Sequence, residues 1–136
     1  MIRWPIASGY LLLLMSCSIN QYSSMAQAAA DEFHRRLEAK EDDRIFTEAT
    51  PAFRKAISAE TSRGYFARIR RKLGMPRFSQ LTNIQVNHTP SGTLIAARFR
   101  TTFDRGDAEE IFTWSVQDGS PRLAEYFINS ALLLTD

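Results

Sequence analysis

Leu94-Ile95-Ala96-Ala97-Arg98-Phe99-Arg100-Thr101-Thr102-Phe103 is the stretch that decides the fold. Ile95, Ala97, Phe99, Thr101 and Phe103 share one face of an extended chain, and Leu94, Ala96, Arg98, Arg100 and Thr102 share the other. A period of two over ten residues is that of a strand. Before it, Ile84, Val86 and His88 alternate with Gln85 and Asn87 and run into the turn Thr89-Pro90-Ser91-Gly92. After it, Asp104-Arg105-Gly106-Asp107 reverses the chain, and Phe112, Trp114 and Val116 alternate with Thr113 and Ser115. Asp118-Gly119 signals a tight hairpin, and a last strand runs over about 122–130, with Tyr126 and Ile128 on one face and Leu123 and Phe127 on the other. Four strands joined by three short turns make an antiparallel meander.

Upstream the period is that of a helix. Ala26, Ala30, Phe33 and Leu37 form an apolar stripe, so one amphipathic helix is expected over about 25–40. Lys40-Glu41-Asp42-Asp43 interrupts it, and Asp42 or Asp43 would cap a short helix carrying Ile45, Phe46 and Ala49. Pro51 ends that helix and suits the first turn of the next, where Phe53, Ala56 and Ile57 give an apolar face. Ser58 is a fitting N-cap for a helix bearing Tyr65, Phe66, Ile69 and Leu73, with Gly74 and Pro76 as stop signals. Helices first and strands afterwards give α+β, with N-terminal helices packed on a curved four-stranded antiparallel sheet.

The amino terminus reads as an export signal. Arg3 precedes an apolar run centred on residues 11–15, too short to span a bilayer. Leu14-Met15-Ser16-Cys17 resembles the lipobox of bacterial lipoproteins, in which the cysteine thiol accepts the lipid and becomes the first residue of the mature chain. The resulting organisation is a signal over 1–16, a lipidated Cys17 with a tether to residue 25, and a single domain over 26–136. The alternative is a signal peptide cut after Ala28 or Ala30, which leaves a soluble periplasmic protein. Ser18 resembles the outer-membrane sorting pattern, so the expected location is the outer membrane, facing the periplasm.

The 136 residues suffice for one domain, and 9 Phe, 4 Tyr and 2 Trp for a core. One cysteine excludes an internal disulfide. The net charge of +2 points to no class of partner. Arg63, Arg68, Arg70, Arg71, Lys72 and Arg77 form a basic cluster without an acid among them. Several occupy the last turn of a helix, where they complement its dipole. The cluster lacks interleaved stacking aromatics, so nucleic acid is not the expected partner. Arg68, Arg71 and Lys72 are candidates for contacting a protein.

The segments Ala49 to Ser58, Arg71-Lys72-Leu73-Gly74, Phe99-Arg100-Thr101-Thr102-Phe103 with Glu110, and Glu125-Tyr126-Phe127-Ile128 resemble a bacterial family, the domain of unknown function 4019. The helical half before a curved sheet resembles the nuclear transport factor 2-like, or cystatin-like, cone. The family resemblance implies fold and envelope location, not an activity. Cones of this kind can hold a pocket between sheet and helices, whose candidate lining here is Tyr65, Phe99, Phe103, Phe112, Trp114 and Tyr126. In enzymatic cones a carboxylate base stands opposite a donor, so Glu110 or Glu125, His88, and Tyr65 or Tyr126 are the residues to weigh. Each also has a structural reading: Glu110 and Glu125 would pair with Arg98 or Arg100 across strands, His88 would sit beside a turn, and Tyr126 would fill the core.

No nucleotide-binding loop, dinucleotide fingerprint or nucleophile elbow is present, and no cofactor is implied. His34 and His88 lack the close spacing of a metal-ligand pair. The leading expectation is a non-enzymatic, lipid-anchored envelope protein that binds another protein, one version being the neutralisation of a periplasmic toxin. The alternatives are a binder of a small apolar ligand in the cone and an isomerase- or cyclase-like enzyme.

Overall fold

The computed structural model describes residues 13–135, with side chains from residue 19 onward. The expected signal as far as residue 12 and the thiol of Cys17 lie outside the described residues. Four helices precede four strands: α1 Leu13–Glu38, α2 Asp42–Glu48, α3 Pro51–Ala56, α4 Ala59–Leu73, β1 Pro76–Thr89, β2 Gly92–Phe103, β3 Asp107–Gln117 and β4 Ser120–Asn129. A single 3₁₀ turn, Ala131–Leu133, follows. The strands form one antiparallel sheet in the order β1-β2-β3-β4, so the molecule is α+β with its helices N-terminal to an open sheet.

Helix α1 is longer than its strongest stripe. Residues 18–25, expected as a tether, are helical, and Tyr22 and Met25 pack against the core about three and two turns before Phe33. Among the described residues no helix is long and apolar enough to cross a membrane. Ala26 and Ala30 have no exposed surface, so their small side chains bring α1 close to the sheet. The helix stops at Lys40, whose φ of 57° turns the chain while the Glu41 N–H donates to the Arg36 carbonyl.

Capping follows the sequence for α3 and α4 and departs from it for α2. Thr50 Oγ1 accepts from the Phe53 N–H with Pro51 in the first turn, and Ser58 Oγ accepts from the Thr61 N–H. The residue flanking α2 is Glu41, and neither Asp42 nor Asp43 caps it. Asp42 instead turns inward and receives both guanidinium nitrogens of Arg70, at 2.6 and 2.7 Å. A two-pronged charge-assisted pair that ties α2 to α4 outweighs one cap bond.

The inward face of the sheet carries Ile95, Ala97, Phe99, Thr101 and Phe103 from β2, and Ala108, Glu110, Phe112 and Trp114 from β3. β1 starts at Pro76, eight residues before its alternation becomes clear. In β4 the expected faces are only half right, because Leu123 and Tyr126 both point inward. Trp114 pairs with Leu123 and Thr113 with Glu125, so Ala124 is an extra residue, a bulge that resets the period of two. Phe33 of α1 sits over this face, its ring centroid 4.5 Å from Tyr126, 5.2 Å from Phe112 and 5.7 Å from Phe66.

Candidate functional site

Strand β3 sends a carboxylate into the core. Position 110 falls on the inward series with Ala108, Phe112 and Trp114, and Glu110 has no exposed surface. A buried carboxylate survives only when its oxygens are hydrogen-bonded. Here Thr101 Oγ1 donates to Oε1 at 2.5 Å, His34 Nε2 lies 2.8 Å from the same oxygen, and the Tyr126 hydroxyl donates to Oε2 at 2.6 Å. The set draws on α1, β2, β3 and β4 and so ties the helical layer to the sheet. Burial, and then the charge and hydrogen bond of Glu110, hold the Tyr126 phenol well above the usual tyrosine value, so it stays a donor.

Carboxylate, imidazole and phenol are the parts of an acid–base site. Their access is poor. His34 reaches a shallow depression of about 140 Å³ beside Asp31, Arg35, Glu38, Arg77 and Phe78, while Tyr126 reaches a different cavity beside α3 and α4. Glu110 itself has no exposed surface, and the two openings reach His34 and Tyr126 from different sides.

The other candidates disperse. The expected pairing of Glu110 with a neighbouring-strand arginine does not form; Glu109 takes that role, 3.5 Å from Arg98. Glu125 is exposed on β4. His88 is exposed at the first hairpin, with Nδ1 3.1 Å from Thr93 Oγ1. Phe99, Phe103 and Phe112 are packed core residues. Trp114 forms the floor of a groove of about 710 Å³ between α1, α2 and the β3–β4 hairpin. Tyr65 and Tyr126 line the cavity beside α4. The six pocket candidates therefore do not enclose one common space.

The basic cluster is largely occupied within the molecule. Arg68 donates to the Leu133 carbonyl at 2.6 Å and Lys72 to that of Thr135 at 2.8 Å, so both hold the C-terminal turn. Arg70 serves Asp42, and the side chain of Arg71 is exposed. Among the described residues no three His, Cys, Asp or Glu side chains gather as metal ligands.

His34 is the member of the buried network that the sequence reading passed over. It lies four residues after Ala30, itself four after Ala26, on the buried stripe rather than the charged flank. Among the described residues no helix covers the opposite face of the sheet. It carries Arg98, Arg100, Glu109 and Glu125, and two bare aromatic rings, Phe78 at 66% exposure and Phe127 at 62%. Residues 29–126 match the family described as a protein of unknown function, DUF4019, and the chain belongs to that family. No curated protein matches it.

Proposed function

From membership in a family defined without an activity, we propose that this chain is a bacterial envelope lipoprotein, held by a lipid on Cys17, which binds another protein through its open sheet face. The observation that carries the reading is the pair of exposed phenylalanines, Phe78 on β1 and Phe127 on β4. Bare rings on a folded surface leave apolar area in water, and aromatic side chains are favoured anchors of protein interfaces. Phe127 heads a cross-strand row with Ile111, Arg98 and Asn83, which offers an apolar end, a cation and an amide along one line. The nuclear transport factor 2-like cone is part of the same proposal, supported by the order of helices and antiparallel strands. The sealed carboxylate of Glu110 supports a binding role over an enzymatic one.

A photo-crosslinking amino acid at position 127 tests this in intact cells. One discrete protein adduct is expected from position 127, and none from position 55 on the far side of α3. Equal adducts at both positions, or none at 127, would refute the sheet-face reading.

A further inference from the structure

Among the described residues, one buried side-chain polar atom lacks a hydrogen-bond partner: Ser62 Oγ, on a residue only 1% exposed. Orphaned buried hydroxyls are rare, because each forfeits its bonds to water without replacement. Ser62 occupies the inward face of α4, one turn before Phe66. It also forms part of the wall of a cavity of about 460 Å³ where α3 and α4 meet the edge strand β4. The remaining wall is mainly apolar: Phe53, Ile57, Tyr65, Phe66 and Tyr126. The Tyr126 hydroxyl is committed to Glu110, and Tyr65 is only half-buried. Ser62 is thus the buried wall hydroxyl without a partner among the described residues.

We propose that this cavity is a binding site for a neutral, largely apolar small molecule carrying one hydrogen-bonding group, such as a hydroxyl, carbonyl or aromatic amine, which pairs with Ser62. The size lies within the range of small-molecule pockets. A mainly apolar wall penalises any charge, and the carboxylate of Glu125, with no cation beside it, repels an anion. A serine hydroxyl donates and accepts, so it serves either sense of bond. The cavity borders the open sheet face through Glu125 and Phe127, whereas Ser62 and Ala56, the residues that test it, belong to the helices.

The probe is N-phenylnaphthylamine, which is neutral, apolar and has a single N–H, titrated by fluorescence against the full chain. Saturable one-to-one binding is expected. Ser62→Ala should weaken it at least threefold with an undiminished melting temperature, since the substitution removes a hydroxyl that holds nothing in the empty protein. Ala56→Trp, which places an indole in the cavity from the end of α3, should reduce binding at least tenfold, with folding checked by circular dichroism. Absence of saturable binding overturns the proposal, as does binding that is indifferent to Ser62→Ala or that survives Ala56→Trp.

Discussion

Glu110 combines the partners of an acid–base site with the full burial of a core residue. Its two oxygens serve three partners on three other elements, and a neutral amide cannot repeat that pattern, because one side of Gln presents donors. Glu110→Gln should therefore cost about 1–3 kcal/mol in urea unfolding, the scale of leaving a buried donor unpaired. Phe112→Ala should cost about 3–5 kcal/mol, as expected for emptying a fully buried aromatic site. The raised pKa of Tyr126 also has a pH consequence. Its phenol gives up a proton more readily unfolded than folded, so stability is intact below the ordinary tyrosine value of 10.0 and falls as the pH climbs from there toward the raised one. Alkaline unfolding followed with and without Tyr126→Phe checks this, the variant losing part of that slope. Glu110 was legible as an inward strand position. Its partner His34 was hidden by the charged neighbours Arg35 and Arg36, although the i, i+4 steps from Ala26 and Ala30 led to it.

At the scale of elements, local chemistry was readable wherever one residue decides the outcome. Pro51 opens α3 and Ser58 caps α4 as expected, and Gly74 ends α4 with a φ of 80°. A Cβ at Gly74 would also lie 2.6 Å from the Asp104 Cβ, so two constraints converge there. What escaped the reading was non-local. Asp42 prefers Arg70, 28 residues away, to its own helix terminus, and the bulge at Ala124 shows itself only when β4 is laid against β3. The α1 extension was faintly present in Tyr22 and Met25, which continue the buried stripe through an otherwise polar stretch. Arg70→Ala leaves a buried carboxylate unpaired and should cost about 3–5 kcal/mol, read as a lowered denaturation midpoint with an unchanged slope. Lys40→Gly should raise stability by up to about 1 kcal/mol, because glycine adopts the positive φ at the end of α1 without strain.

At the scale of the molecule, helices cover one face of the sheet, and among the described residues the other face has no such cover. Antiparallel sheets tolerate that asymmetry, and here the bare face carries rings as well as charges. The meander, its three turns and the α+β order were legible because a period of two and glycine-bearing turns are local signals. A surface for a partner is not such a signal, since an exposed Phe127 reads in sequence like any other strand aromatic. The lipid anchor is tested separately: Cys17→Ala should abolish palmitate labelling, and equal labelling of the variant would refute the lipoprotein reading. The most direct test of the central claim is retention of envelope proteins by immobilised full chain, compared with its Phe78→Ser/Phe127→Ser variant at matched thermal stability. The account predicts one stoichiometric partner on the native chain and its loss from the variant. Identical retention by both would contradict it.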